Sequence, residues 1–102
     1  MIIKEKIAKS ELQSPFTKAV VDIELGKISL GCELHIDCAE ELIQDGSLMS
    51  DLWGFNIYPD YQLDFVSLIN IRPAQGNRSM KIEDSIIREK IESLVRNYLP
   101  ND

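Results

Sequence analysis

Residues 17–36 carry the strongest constraint on the fold, an alternation of apolar and polar residues on either side of Gly26-Lys27. A two-residue turn that begins with glycine is typical of a type II′ β-hairpin. Folding the chain at this turn pairs apolar residues on one face: Leu25 with Ile28, Ile23 with Leu30, Val21 with Cys32, and Ala19 with Leu34. The other face is mostly polar and pairs Lys18 with His35. This pattern predicts an antiparallel hairpin with one face toward solvent.

Two further segments predict helices. The capping-box spacing of Asp37-Cys38-Ala39-Glu40 places Asp37 at the N-cap of a short helix. That helix is expected to end near Gln44, before the helix stop Asp45-Gly46. Asp84 is expected to cap a longer helix over about residues 85–99, whose apolar residues recur at helical spacing.

Two segments between the helices predict a second hairpin. In the run Leu52–Tyr58, Trp53, Phe55 and Ile57 alternate with smaller or more polar residues, as in a strand. Phe65–Arg72 is the second predicted strand, and Pro73 ends it. Its apolar residues occupy both faces, so the register of this hairpin stays open.

Together these segments predict an α+β fold in the order β-β-α-β-β-α, with residues 1–102 as a single domain. We expect a four-stranded antiparallel sheet with both helices packed on one face, because the apolar stripe of the last helix needs an apolar surface to cover. Residues 1–7 have strand character and either cap one sheet edge within the chain or leave that edge open for a two-fold homodimer. The expected core contains Val21, Ile23, Leu30, Leu34, Trp53, Phe55, Ile57, Ile69, Ile87, Ile91, Leu94 and Val95.

Charge and cysteine content limit the class of protein. The sequence has 11 basic and 17 acidic residues, and its net charge of −6 disfavours nucleic acid or an anionic membrane as a partner. No apolar segment approaches the roughly 20 residues that span a bilayer. The two cysteines lack the C-x-x-C spacing of a structural zinc site and are too few for a disulfide scaffold. The sequence therefore predicts a cytoplasmic protein without a cofactor.

The arginines point to a candidate anion site, because all four of them follow residue 71. Arginine binds phosphate or carboxylate through paired N–H groups, and a turn that contains glycine can present successive backbone N–H groups to an anion. The candidate ligand-binding residues are Arg72, Gly76, Asn77, Arg78 and Ser79. In the alternative interpretation these arginines pair with the protein's own carboxylates, for example Arg72 with Glu33.

Glu33, His35 and Asp37 form a second candidate site. On a strand, all three side chains would lie on the polar face, where they could bind a metal ion or act as a general acid and base. The alternative is that Asp37 caps the helix and His35 is only solvated. Cys38 with His35 is a nucleophile-and-base pair by residue type, although a small buried cysteine is the simpler interpretation. Cys32 is expected in the core.

An aromatic cluster is a candidate stacking platform for single-stranded RNA. Trp53, Phe55 and Tyr58 are the residue types that stack on bases. Trp53 and Phe55 lie on the face that the helix is expected to cover, and this position argues against contact with RNA.

Several strings of the sequence resemble a known family. They are Lys18–Glu24, Gly31–His35, Asp51–Pro59, Ser67–Pro73 and Gln75–Ser79. They are similar to short prokaryotic proteins catalogued only as a domain of unknown function, over about residues 18–95. The resemblance implies a cytoplasmic single domain and implies no activity.

These observations predict a small domain that binds a ligand or a partner, either a small anion or a protein. The predicted contact surface is the polar face of the sheet together with the loop of residues 72–79. The alternative is a small metal-dependent or acid-base hydrolase centred on Glu33 and His35, so enzymatic activity stays open at this stage.

Overall fold

The computed structural model describes residues 1–99, whose strands form one antiparallel sheet in the order β1-β3-β2-β4-β5. The strands are Ile2–Ile3 (β1), Thr17–Asp22 (β2), Lys27–Leu30 (β3), Leu52–Ile57 (β4) and Leu63–Asp64 (β5). The helices are His35–Gln44 (α1) and Ser85–Arg96 (α2). The α+β class is confirmed, but the sheet has five strands instead of four. The extra strand β1 pairs with β3 and caps that edge of the sheet.

The β2–β3 hairpin is confirmed, although its turn differs from the prediction. Asp22 pairs with Lys27, so the loop contains residues 23–26 and not Gly26-Lys27 alone. The carboxylate of Asp22 accounts for the longer loop, because its Oδ1 accepts the backbone N–H groups of Glu24 and Leu25, both at 2.9 Å. Val21 pairs with Ile28 instead of Cys32. The register therefore differs from the prediction by an even number of residues, and each residue stays on its predicted face of the hairpin.

The two helices pack on opposite faces of the sheet, so the prediction that both lie on one face is wrong. Helix α2 covers the face that carries Val21 and Phe55. Helix α1 covers the other face, where Val20 and Leu52 pack against Leu42. Side chains alternate along a strand, and the central strands β2 and β4 carry large apolar residues on both faces. Each face therefore needs its own cover.

Most of the predicted core is confirmed. Seven of its residues are buried in the cluster beneath α2: Val21, Leu30, Trp53, Phe55, Ile57, Ile91 and Val95. Three more pack partly buried against that cluster: Ile23, Ile87 and Leu94. Leu34 was placed wrongly, since β3 ends at Leu30 and the Leu34 side chain is 57% exposed. Ile69 was also misplaced, because it packs on the α1 side of the sheet.

The predicted strand Phe65–Arg72 is wrong. The segment that pairs with β4 on this side is Leu63–Asp64, and the chain then enters a 3-10 turn at Leu68–Asn70. The hydroxyl of Ser67 accepts the N–H of Ile69 at 3.3 Å and caps this turn. The apolar residues of this segment face both ways because the segment folds over the sheet instead of extending it.

The helix ends follow local capping chemistry. Asp84 caps α2 as predicted, accepting the N–H of Ile86 at 2.8 Å, although α2 ends at Arg96, three residues earlier than expected. Helix α1 ends at Gln44 as predicted but begins at His35, so Asp37 lies in its first turn and is not its N-cap. Among residues 1–99, neither helix has the length and apolar character needed to cross a membrane.

Candidate ligand-binding groove

A groove of about 500 Å³ that is lined largely by apolar side chains opens on the α1 side of the sheet. It lies between the first turn of α1, strands β2 and β4, and the segment of residues 66–69. Its apolar wall is formed chiefly by Phe16, Leu34, Ile36, Leu68, Ile69 and Met80. Its polar residues are Lys18, His35, Asn56 and Ser67. The volume and the largely apolar lining are those of small-molecule sites in proteins.

The groove leaves large apolar side chains in contact with solvent. Leu68 is 71% exposed, and Leu34, Ile36 and Met80 are also exposed. Exposed apolar residues are ordinary when they are scattered singly, but a contiguous patch marks a contact surface. Here the four side chains line the same concavity.

His35 is held in the groove by a backbone contact. Its Nε2 donates to the carbonyl oxygen of Phe55 at 2.9 Å. A carbonyl oxygen only accepts hydrogen bonds, so Nε2 carries the proton and Nδ1 of the neutral ring carries a lone pair. His35 is the first residue of α1, and the helix therefore fixes the position of this ring over β4.

Burial lowers the pKa of His35 below its ordinary value. The hydrogen bond to Phe55 and the neighbouring amide of Asn56 oppose this change, whereas the positive charge of Lys18 adds to it. The ring is therefore neutral at pH 7. Asn56 is itself buried, and its Oδ1 makes no hydrogen bond.

Lys18 places a positive charge at the rim of the groove. Its ammonium group donates to the backbone carbonyl of Glu33 at 2.6 Å. An ammonium has three donors, so further N–H groups are available to a ligand. Within the described part of the chain, none of the residues that line this groove is acidic.

The two cysteines form a disulfide bond, Cys32–Cys38, with their Cα atoms 5.8 Å apart. Cys38 belongs to α1 and is buried, whereas Cys32 packs only partly buried against the cluster on the α1 side, so the expectation that Cys32 lies in the core on the apolar face of the hairpin is wrong. The error follows from the hairpin register, because β3 ends two residues before Cys32. Cys38 in this state is not a free nucleophile.

Glu33, His35 and Asp37 do not share a strand, which corrects the prediction of an alternating trio. Glu33 lies in the exposed loop before α1, and His35 and Asp37 belong to the first helical turn. In residues 1–99 no group of three or more His, Cys, Asp or Glu side chains is placed to hold a metal ion.

Arg72 is committed to contacts within the protein. Its guanidinium donates to the backbone carbonyls of Met49, at 2.8 Å, and Leu52, and lies 4.2 Å from the ring centre of Trp53. Burial lowers its pKa. The alternative pairing of Arg72 with Glu33 is wrong, because Arg72 follows a 3-10 turn and is not on the open face of a strand.

The loop of residues 76–79 does present backbone N–H groups to an anion, and that anion is the side chain of Glu83. The N–H groups of Arg78 and Ser79 donate to Glu83 Oε2 at 2.7 and 3.0 Å. Gly76 supplies the left-handed backbone of the turn, with φ of 84°. Asn77 is buried, and its Nδ2 donates to three backbone carbonyls, including that of Asn70 at 2.7 Å.

Sequence reasoning missed the apolar wall of the groove. The signal was present in Leu34-His35-Ile36, where two apolar residues flank the histidine just beyond a strand. A second signal was the run of apolar residues on both faces of segment 65–71, which does not suit a half-exposed strand. The spacing of Cys32 and Cys38 was visible, but their pairing depends on where β3 ends.

Comparison with known proteins gives a family and no activity. The sequence profile of the family described as "Protein of unknown function (DUF5674)" matches residues 1–98. A search of curated proteins and a search of solved structures find no match. The predicted resemblance to a domain of unknown function over residues 18–95 is confirmed, and the match also includes the N-terminal segment. The chain therefore belongs to the DUF5674 family of proteins of unknown function.

Proposed function

We propose that this domain binds a small carboxylic acid with an apolar tail in the groove beside α1. The observation that carries the proposal is one lysine ammonium, that of Lys18, at the rim of an apolar groove. The proposal keeps the small anion predicted from the sequence as the ligand class. It moves the site from the loop of residues 72–79 to the groove, because the amides of that loop already bind Glu83.

Charge complementarity favours an anionic head group. The whole chain has a net charge of −6, yet the groove residues that the structure describes include Lys18 and no carboxylate. The net negative charge of the protein repels an anion over most of its surface, whereas Lys18 attracts an anion to the groove. His35 is neutral at pH 7 and therefore offers hydrogen bonding without a second charge.

The apolar wall sets the nature of the tail. Leu34, Leu68 and Met80 are exposed in the free protein and would be covered by an aliphatic or aromatic group. Burying apolar area stabilises the complex by about 25 cal/mol per Å² before the costs of association. A head group at Lys18 would leave the tail to extend along this wall.

The test is a titration of the ¹⁵N-labelled protein with octanoate, followed by NMR. The backbone amides of Leu34, His35 and Ile36 and those of Leu68 and Ile69 are expected to shift together and to saturate. Octanol has the tail without the charge, and acetate has the charge without the tail. Both should bind more weakly than octanoate, each by about tenfold or more.

Matched variants separate the contribution of the charged head group from that of the apolar tail. Lys18→Gln should remove the preference for octanoate over octanol, whereas Lys90→Gln on α2 should leave it intact. Leu68→Ser should weaken octanoate binding, and Leu48→Ser, at a comparably exposed leucine outside the groove, should not. Groove amides that stay unmoved by octanoate, or equal binding of octanoate and octanol by the unmodified protein, would contradict the proposal.

A further inference from the structure

The disulfide Cys32–Cys38 closes a loop that contributes one wall of the groove. Only residues 33–37 lie between the two cysteines, and Leu34, His35 and Ile36 among them line the groove. The covalent bond therefore fixes the segment that carries both the histidine and part of the apolar wall.

We propose that Cys32–Cys38 is a reversible dithiol–disulfide site, and that its reduction by a dithiol frees residues 33–37 and weakens ligand binding in the groove. The part of this inference that concerns ligand binding rests on the proposed function. The part that concerns residues 33–37 rests on the position of the bond and on the contacts of that segment.

Other tethers of this segment are few. Helix α1 begins after Leu34 without any side-chain cap. Among residues 1–99, two side-chain hydrogen bonds hold the segment to the sheet: Lys18 Nζ donates to the carbonyl of Glu33 at 2.6 Å, and His35 Nε2 donates to that of Phe55 at 2.9 Å. An uncapped first turn frays readily because its N–H groups lack partners. The disulfide is thus a covalent restraint on a first helical turn that has no side-chain cap.

The chemistry has a defined direction of attack. Cys38 is buried, whereas Cys32 is partly exposed and lines a second cavity, of about 460 Å³. A thiolate of the dithiol attacks Cys32 Sγ, the S–S bond breaks, and Cys38 leaves as a thiolate that takes up a proton. The second thiol of the reductant then displaces Cys32, which also ends as a thiol, and the reductant leaves as a disulfide. Two electrons pass from the dithiol to the protein.

The second cavity also selects among reductants. Four carboxylates line it, those of Glu11, Glu33, Asp37 and Glu41, and they outnumber the Met1 ammonium, which pairs with Glu41 at 2.9 Å and lies 4.0 Å from Cys32 Sγ. Anionic thiols are repelled on their approach to Cys32, and neutral or cationic thiols are not. The reductant that fits this site therefore presents its thiols without negative charge around them.

Hydrogen exchange tests the local part of the inference. In the protein reduced with dithiothreitol, with two free thiols confirmed by titration, the amides of residues 33–37 should exchange about tenfold faster or more, while that of Ile91 on α2 stays unchanged. Cys32→Ser should reproduce this change in the absence of reductant, because it removes the bond and keeps Cys38 as a small buried side chain. Glu33→Ser, which keeps the disulfide, should not. Unchanged exchange after reduction, or faster exchange throughout the sheet and α2, overturns the inference.

Octanoate binding then distinguishes this inference from the proposed function. The expected result is binding by the oxidised protein that weakens by about fivefold or more on reduction. Equal affinity in both redox states overturns the control of binding and leaves the groove as a ligand site. Failure of the oxidised protein to bind octanoate overturns the proposed function, and the exchange measurement still decides whether the disulfide releases residues 33–37.

Reduction rates test the route of attack. At equal thiolate concentration, cationic cysteamine should reduce the disulfide faster than anionic 2-mercaptoethanesulfonate. Added salt should bring the two reduction rates closer together. Equal rates at low salt would overturn attack through the acidic cavity.

Discussion

The side-chain amide of Asn70 pairs with the backbone of Gly54 as a neighbouring strand would. The N–H of Gly54 donates to Asn70 Oδ1 at 2.8 Å, and Asn70 Nδ2 donates to the carbonyl of Gly54 at 2.9 Å. The same Nδ2 donates to the carbonyl of Met80 at 3.1 Å. One buried amide therefore attaches the turn that carries Leu68, and with it one wall of the groove, to strand β4.

Asn70→Ala should destabilise the protein by about 2–4 kcal/mol, because it leaves the buried N–H and carbonyl of Gly54 without partners. Urea unfolding measures the loss. Asn97→Ala, at an exposed asparagine just beyond α2, is the matched control and should cost less than about 0.5 kcal/mol. An equally small cost for Asn70→Ala would show that water replaces the hydrogen bonds that Asn70 makes to the backbone of Gly54.

Gly54 needs to be glycine for reasons of space. A Cβ at this position would lie 2.7 Å from both Cβ and Oγ of Ser67 and 3.1 Å from Cγ1 of Ile69. Gly54→Ala should therefore cost about 1–3 kcal/mol through overpacking. Because the clash involves the Cβ of Ser67, Ser67→Gly should recover part of the loss in a double-mutant cycle, whereas Ser67→Ala should not. Additive costs for Gly54→Ala and Ser67→Gly would contradict this contact.

Local signals predicted the elements whose boundaries depend on local chemistry. The alternation about Gly26 gave the β2–β3 hairpin and the correct faces, and Asp84 gave the start of α2. The apolar side of that hairpin and the stripe of α2 then identified most of the core. These signals span few residues and do not depend on distant contacts.

The groove depends on contacts between distant segments, and the sequence alone did not reveal it. Asn70 replaces a strand neighbour of Gly54 across 16 residues, and this pairing turns the expected strand at Phe65–Arg72 into a folded-over segment. The early end of β3 then leaves Leu34 on the surface and lets Cys32 reach Cys38. The sequence indicated that the loop of residues 76–79 could present backbone N–H groups, but it did not indicate that Glu83 accepts two of them.

His35 should make stability depend on pH near neutrality. Burial lowers the pKa of His35, so the unfolded chain binds the proton more readily than the folded protein does. Stability is therefore greatest above the ordinary value near 6.5 and falls as the pH drops toward the lowered pKa. Urea unfolding between about pH 7.5 and about pH 5.5 should show this loss, and His35→Gln should reduce it. An NMR titration that places the pKa of the His35 ring at or above its ordinary value would contradict this prediction.

Glu83 should decide whether the loop of residues 76–79 binds an external anion. The backbone N–H of Arg78 lowers the pKa of Glu83; burial opposes this effect, and Ser79 adds to it. The carboxylate therefore stays charged and bound until the pH falls below its ordinary value near 4.5. At neutral pH, we expect millimolar phosphate to leave the amides of Arg78 and Ser79 unmoved in the unmodified protein.

In Glu83→Gln the competing charge is gone, and the same two amides should shift saturably with phosphate. Glu89→Gln, at an exposed position on α2, is the control and should behave as the unmodified protein. Saturable shifts in the unmodified protein would mean that phosphate displaces Glu83 and that the loop is an anion site as it stands. Unmoved amides in Glu83→Gln would mean that the loop geometry serves only to hold Glu83, because two backbone donors without their carboxylate then attract no anion.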